Sequence, residues 1–126
     1  MITLLAEAIK TSTSLKKLYL HKCKLRTEYI LELFDSLKAN KMVTEIKLIN
    51  VHLLPAATAG LSQLLSINHN IKRLIVKDCA IDDKSMADLA HGILESPELE
   101  LIDLRNNIFE DLGLKILIES LKNTGK

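Results

Sequence analysis

His21 and Cys23 are the side chains in this sequence that most invite a catalytic interpretation, because a histidine beside a thiol can activate a cysteine nucleophile. Both lie in the segment SLKKLYLHKCKL, in which Leu18 and Leu20 alternate as in a strand. Alternation turns His21 to the exposed face of that strand, whereas the leucine pattern places Cys23 at the inner bend that follows. The two groups should not meet, so the sequence predicts a surface histidine and a packed thiol.

The other residues whose side chains could catalyse a reaction or bind a ligand are better explained by structural roles. The remaining histidines fall in a loop, a turn and a helix, with no partner four residues away that suits zinc: His52, His69 and His91. Adjacent Asp82 and Asp83 at a helix start are more often caps, favoured by the helix dipole, than a catalytic carboxylate pair. The closing residues NTGK lack the upstream glycine spacing and the following Ser or Thr of a phosphate-binding loop. We therefore expect no enzyme, no metal site and no cofactor.

Length and composition narrow the class of protein further. A chain of 126 residues suits one domain, and an apolar content of 48% favours an ordered chain over a disordered one. Its apolar runs are shorter than the roughly 20 residues of a membrane span, and its amino terminus lacks the features of a secretory signal. A net charge of +1 argues against nucleic-acid binding through overall charge. Two cysteines without an N-x-[ST] acceptor predict a reducing, cytoplasmic location.

The elements that must position these residues are set by a repeat of 28 residues, which runs without insertion or deletion from residue 15 onward. Its strand half aligns four apolar ladders: Leu15, Val43, Ile71 and Leu99; Leu18, Ile46, Leu74 and Ile102; Leu20, Leu48, Val76 and Leu104; Leu25, Leu53, Ile81 and Phe109. Its second half changes to the spacing of an amphipathic helix, as in Ile30, Leu33, Phe34 and Leu37. The predicted units are 15–42, 43–70, 71–98 and 99–126, after a lone helix over residues 1–14.

Residues at the predicted element boundaries support this division. Thr27 and Asp82 or Asp83 can cap helix starts, and Pro55 suits a first helical turn. Asparagines such as Asn40 and Asn68 tolerate the turn from a helix back to the next strand. The inner faces of the first and last helices are predicted from the same spacing to carry these residues: Ile2, Leu5, Ala6 and Ile9; Leu114, Leu117, Ile118 and Leu121.

The pattern LxxLxLxx[C/N]xL followed by a helix resembles the leucine-rich repeat family, and the long helical half is similar to its ribonuclease-inhibitor-like subclass. The matching lines are LKKLYLHKCKL, VTEIKLINVHL, IKRLIVKDCAI and LELIDLRNNIF. The family's Cys or Asn position is held by Cys23, Cys79 and Asn107, whereas Val51 departs from it. In the family that side chain satisfies backbone groups at the bend, so we expect a local irregularity after Leu48.

The predicted fold is a right-handed α/β solenoid, a segment of a leucine-rich repeat horseshoe with four repeats. A helix is roughly 10 Å across and neighbouring strands about 4.8 Å apart, so stacked units should curve, with a parallel sheet on the concave face and helices on the convex face. Cys23 and Cys79 then lie about two strand spacings apart, too far for a disulfide, and we predict two buried free thiols. The last helix is apolar on more than one side, which predicts either a longer protein or self-association through the C-terminal repeat end.

The exposed side of the predicted sheet is the candidate binding surface, and one large apolar side chain on each strand lies where a polar one would be free to sit. With flanking residues it carries eight basic against four acidic groups, which favours an acidic partner. Mixed charge on a soluble sheet and the β-propensity of isoleucine are the alternative explanation. The predicted partner-binding residues are Lys17, Tyr19, His21, Lys47, Ile49, Arg73, Ile75, Lys77, Leu101, Asp103 and Arg105.

The resemblance implies a noncatalytic module that binds a protein partner on its concave sheet, as a segment of a larger protein. The alternative is a substrate-recognition domain of an enzyme or regulator whose other domains lie elsewhere: a ubiquitin ligase, a GTPase activator, an innate-immune sensor or a bacterial effector. A structural or oligomerising segment is the third hypothesis, and a dimer lost on charging Leu112 or Ile116 would favour it. No membrane or nucleic-acid partner is expected.

Overall fold

Helices and strands alternate along the chain in the computed structural model, which describes residues 2–124. The helices are α1 (Ile2–Thr11), α2 (Thr27–Ala39), α3 (Pro55–Ile67), α4 (Asp83–Leu94) and α5 (Asp111–Thr124). The strands are β1 (Lys17–His21), β2 (Glu45–Ile49), β3 (Arg73–Lys77) and β4 (Leu101–Asp103). Each predicted unit therefore contains one strand followed by one helix.

The strands form one parallel sheet in the order β1-β2-β3-β4, so neighbours in sequence are neighbours in space. The register pairs Lys17 with Glu45, Glu45 with Arg73, and Arg73 with Leu101, which are 28 positions apart in each case. The helices pack in the same order, each against the next. The predicted α/β fold with a parallel sheet is confirmed, whereas the handedness of a solenoid stays a prediction.

The core lies between the sheet and the helices, where the predicted apolar ladders meet. Members of the two central repeats are almost fully buried, as Val43, Ile46, Leu48, Leu74 and Val76 illustrate. Five of the eight members in the two terminal repeats are only partly covered: Leu15, Leu20, Leu25, Ile102 and Phe109. This gradient follows from the stacking, because a terminal unit has a neighbour on one side only.

The predicted inner faces of the terminal helices are partly wrong. Leu5 is 42% exposed on α1, where Ala6 and Ile9 are buried as predicted. The side chain of Ile2 lies outside those that the structure describes. On α5, Leu114 and Ile118 are exposed because this helix packs against α4 and, within residues 2–124, against no other element.

Helix starts are capped in two ways. Asp82 caps its own helix by accepting a hydrogen bond from the backbone N–H of Ser85, at 2.8 Å, and that bond lowers the pKa of the Asp82 carboxyl. Asp83 instead serves the next repeat: its Oδ1 accepts the backbone N–H groups of Glu110 and Gly113, at 2.7 and 2.9 Å. A single acidic pair thereby fixes the starts of both α4 and α5.

Of the predictions for the starts of α2 and α3, one is wrong and one is confirmed. Thr27 is the first residue of α2 and does not cap it, because Arg26 occupies the N-cap position and makes no side-chain cap bond. Pro55 begins α3, as predicted. Its fixed φ and missing N–H suit that first helical position.

Buried asparagines link successive repeats, a role that the sequence interpretation missed. The Asn40 side-chain amide donates to the carbonyl of Ile9 at 2.6 Å, and its oxygen accepts the backbone N–H of Val43 at 3.0 Å. Asn68, 28 residues later, donates in the same way to Leu37 and Asn40, at 2.8 Å each. Each amide group donates to carbonyls of the preceding repeat, and each amide oxygen accepts a backbone N–H from the turn that follows it.

The expected irregularity after Leu48 is wrong for the backbone. Strand β2 ends at Ile49, and Asn50 adopts the same left-handed conformation as its equivalents Lys22, Asp78 and Asn106, with φ between 54° and 61° in all four. Val51 is buried without a polar group. Asn107, at the equivalent position, accepts the N–H of Cys79 at 3.0 Å, so the bond crosses to the preceding repeat.

Candidate functional site

The face of the sheet away from the helices carries the predicted partner-binding residues. We call it the open sheet face and define it by its members: Lys17, Tyr19, His21, Glu45, Lys47, Ile49, Arg73, Ile75, Lys77, Leu101 and Asp103. The parallel register aligns them in three rows, because equivalent residues of neighbouring strands are paired. One row runs Tyr19, Lys47, Ile75 and Asp103.

Exposure varies along this face. Lys17, Tyr19, His21, Arg73 and Leu101 are exposed, whereas four residues of the central strands are half-buried: Lys47, Ile49, Ile75 and Lys77. Among the predicted apolar contacts, Tyr19 and Leu101 are 51% and 43% exposed. The largest accessible apolar groups therefore lie at the two ends of the sheet.

A buried carboxylate organises the end of the face near β1. Glu45, which the sequence pattern places on the exposed side, is only 5% exposed. The Tyr19 hydroxyl donates a hydrogen bond to Glu45 Oε2, and Arg73 Nη1 lies 3.8 Å from Oε1. Lys47 Nζ lies 5.2 Å from the centroid of the Tyr19 ring, within cation–π range. We call these four residues the Glu45 cluster.

The cluster holds Tyr19 in one orientation. Donation of its hydroxyl proton to the Glu45 carboxylate raises the pKa of Tyr19, because the bond is lost when the phenol ionises. A carboxylate buried in this position requires compensation: the Tyr19 hydroxyl supplies a hydrogen bond and the Arg73 guanidinium supplies a positive charge 3.8 Å away. The aromatic ring is therefore held in place by a hydrogen bond from its hydroxyl to Glu45 and by the Lys47 ammonium group near its face.

At the opposite end of the sheet, Asp103 and Arg105 form a fork-shaped ion pair. Arg105 Nε lies 3.0 Å from Asp103 Oδ1, and Nη2 lies 2.9 Å from Oδ2. These bonds lower the pKa of Asp103 and raise that of Arg105. Strand β4 ends at Asp103, so Arg105 lies beyond the strand to which the sequence interpretation assigned it. The pair also offsets part of the positive charge predicted for this surface.

His21 and Cys23 do not form the geometry of a nucleophile and its base. His21 is exposed, and the Cys23 thiol lies 3.6 Å from the main-chain carbonyl of His21. Both cysteines are free, as predicted, but Cys23 is half-buried and only Cys79 is buried. Burial raises the pKa of the Cys79 thiol, which donates to the carbonyls of Lys77 and Leu48. The thiol of Cys79 therefore has a structural role, because it satisfies two backbone carbonyls at the bend after β3.

Residues 2–124 contain neither a metal-binding cluster nor a helix that could span a membrane. No group of three His, Cys, Asp or Glu side chains in this part of the chain could hold a metal ion. In the same part, every helix is too short or too polar to span a bilayer.

Known proteins resemble this chain in sequence and in fold, although no family model matches it. It is 31% identical over 129 residues to human "NACHT, LRR and PYD domains-containing protein 14", a match that covers 96% of this chain and 11% of that protein. The human protein 13 of the same series is 27% identical over 110 residues, 86% of this chain and 10% of the relative. These matches support the leucine-rich repeat family. The chain spans about a tenth of the length of these curated relatives.

Two solved structures superpose well on this chain although their sequence identity to it is low. The structure titled "Leiomodin-1 Actin-Binding Site 2 (ABS2)" superposes with a TM-score of 0.86 at 16% identity, over 94% of this chain and 70% of that one. The tropomodulin C-terminal domain of Caenorhabditis elegans superposes with a TM-score of 0.67 at 14% identity, over 98% and 93%. The three domains share a fold. The ribonuclease-inhibitor-like subclass stays a prediction.

Proposed function

We propose that this chain is a noncatalytic protein-interaction module that binds a macromolecular partner through its open sheet face. The observation that carries the proposal is the Glu45 cluster, which fixes a half-exposed tyrosine beside a lysine. A pre-positioned aromatic side chain loses little conformational entropy on binding, and such residues often dominate the energy of an interface. A sheet face that contacted only water would have no need for a buried carboxylate that holds a tyrosine in place.

The shape of the surface follows from the same stacking. In our proposal, helices packed side by side are wider than the strands that they cover, so the open sheet face is the concave side of a right-handed solenoid. Lys17, Lys47 and Lys77 add positive charge there, and an acidic surface on the partner would be attracted to it.

The likenesses to known proteins support a protein partner. One solved neighbour is named for an actin-binding site, and the curated relatives carry leucine-rich repeats by name. Since the chain matches about a tenth of those relatives, we propose that it acts as the recognition segment of a larger, cytoplasmic protein. Actin is the named macromolecule to test first.

A matched pair of variants tests the face. Tyr19, Ile75 and Lys77 replaced together by alanine should abolish capture of partners in a quantitative pull-down, with purified actin assayed in parallel. The control replaces Tyr29, Ile67 and Lys84, which are the same residue types exposed on three of the helices, and should leave capture intact. Identical partner sets for wild type and the sheet-face variant, with both variants folded by circular dichroism, would refute the proposal.

A second candidate function is self-association through α5. Leu114 and Ile118 lie one turn apart on the same side of this helix and are 47% and 44% exposed, and Leu112, on another side, is 60% exposed. If this surface forms a dimer, light scattering after size exclusion should give twice the chain mass, and Leu112→Glu with Ile118→Glu should restore the monomer. A monomeric wild type at high concentration would exclude this function and leave the open sheet face unaffected.

A further inference from the structure

A separate groove lies where the loops after β1 and β2 lead into α2 and α3. It encloses about 680 Å³ and is lined by the side chains of Lys22, Lys24, Arg26 and His52, together with apolar Leu25 and Leu54. The open sheet face ends at His21 and Ile49, so the groove lies beyond the carboxyl ends of the first two strands. We call it the loop groove.

The loop groove is basic because of its position in the stack. Its lining residues include three Lys or Arg side chains and one histidine, and no carboxylate. The equivalent loops of the third and fourth repeats carry carboxylates instead: Asp78, Asp82, Asp83, Glu110 and Asp111. Glu28 lies 3.5 Å from Arg26, but both side chains are more than 60% exposed, so this pair is weak and does not cancel the local charge. Among the loops that follow the strands, the positive charge is thus concentrated at the end of the stack near β1.

The start of α2 adds to the positive potential. Arg26 and Thr27, at the N-terminus of this helix, line the loop groove. No side chain caps that end, whereas Asp82 and Asp83 cap α4 and α5. Uncapped N–H groups and the helix dipole both favour an anion nearby. Two contributions therefore point to a negatively charged occupant, the basic side chains and the helix terminus, and the groove provides the space for it.

The apolar part of the lining distinguishes a peptide from a simple anion. Leu54 is 50% exposed at one side of the loop groove, and Leu25 and Cys23 are half-buried within it. A small inorganic anion would leave Leu54 in contact with water. A peptide that carries an apolar side chain between carboxylates would cover Leu54 and pair with the lysines at the same time.

We propose that the loop groove binds an acidic peptide segment of a partner protein. Its carboxylates lie against Lys24 and Arg26, and an apolar side chain of the peptide packs on Leu54. This site goes beyond the open sheet face and does not depend on it, so the two can be disrupted separately.

The test uses the fluorescein-labelled peptide Glu-Glu-Leu-Glu-Glu-Leu and fluorescence anisotropy. Lys24→Glu with Arg26→Glu should weaken binding by about tenfold or more, and binding should fall as salt rises. Lys41→Glu with Lys115→Glu changes the net charge equally at exposed sites elsewhere and should have little effect. Tyr19→Ala should also leave the affinity unchanged, which separates this proposal from that for the open sheet face.

Peptide controls and amide chemical shifts define the other outcomes. The peptides Gln-Gln-Leu-Gln-Gln-Leu and Glu-Glu-Ser-Glu-Glu-Ser should each bind more weakly, and the acidic peptide should shift the amide resonances of Lys24, Thr27 and His52. Equal weakening by both charge-reversal pairs, or shifts confined to the open sheet face, would overturn the proposal. Inorganic phosphate that competes as well as the peptide would reduce the site to a simple anion site and would overturn it as well.

Discussion

At the scale of single residues, the open sheet face owes its order to Glu45. A buried carboxylate is costly unless it is hydrogen-bonded or paired with a positive charge, and Glu45 has a hydrogen bond from the Tyr19 hydroxyl and an ion pair with the Arg73 guanidinium. The alternation of side chains along β2 correctly predicts which face of the sheet Glu45 lies on, but it does not predict that Glu45 is buried. Burial depends on the neighbours that lie 28 residues away on either side.

The hydrogen bond between Tyr19 and Glu45 predicts a stability effect in alkaline solution. The pKa of Tyr19 is raised above 10.0, so the phenol of the unfolded chain ionises at lower pH than that of the folded chain. The bond's contribution to the free energy of unfolding is therefore fully present below pH 10.0 and is lost as pH rises through the folded pKa. Tyr19→Phe should remove this part of the alkaline loss.

Tyrosinate absorbance measures the same effect directly. The difference between the titration curves of wild type and Tyr19→Phe isolates Tyr19, since Tyr29 is common to both. Its midpoint should lie above 10.0, and Glu45→Ala should return it toward that value. A wild-type midpoint at or below 10.0 would contradict the hydrogen bond in solution.

At the scale of elements, the helices are fixed by close approaches and shared caps. A Cβ atom added to Gly92 of α4 would lie 2.6 Å from the backbone oxygen of Ser62 and 2.7 Å from its Cα. These atoms belong to α3 and cannot move without shifting that helix. At Gly60 the nearest obstacle is the tip of the Leu31 side chain, which can rotate away.

This contrast predicts opposite outcomes for the same substitution. Gly92→Ala should lower the free energy of unfolding by about 1 to 3 kcal/mol, because the strain falls on backbone. Gly60→Ala should be close to neutral or stabilising by up to about 1 kcal/mol, because alanine favours the helix. Urea unfolding midpoints measure both, and a Gly92→Ala protein as stable as wild type would mean that α3 and α4 are farther apart than described.

At the scale of the whole molecule, stability should be greatest in the middle of the stack. Strands β2 and β3 are paired on both sides and their ladder residues are almost fully buried, whereas β1 and β4 are edges. In a linear array each unit is stabilised mainly by its neighbours. Hydrogen exchange should therefore be slowest for the amides of β2 and β3, with faster exchange in α1 and α5. Uniform protection would indicate a single cooperative unit instead.

Most of the fold follows from the sequence, because a repeat without insertions specifies which residues stack. The period predicts the register that pairs Leu18 with Ile46 and Ile46 with Leu74. The sequence does not reveal where a polar side chain crosses to another repeat. Asp83 and Asn40 look like local turn residues, yet both bond to groups that are distant along the chain. Such roles depend on distances between repeats, which no local pattern encodes.

The loops after the strands are basic at one end of the stack and acidic at the other, and this difference affects how a partner approaches. Lys22, Lys24 and Arg26 lie at one end of the stack, and Glu110 and Asp111 lie at the other, so the nearly neutral molecule has a permanent electric moment along its length. A charged protein diffusing toward it would experience a torque as well as an attraction. Approaching molecules would thus be rotated toward one preferred alignment while still separated by water.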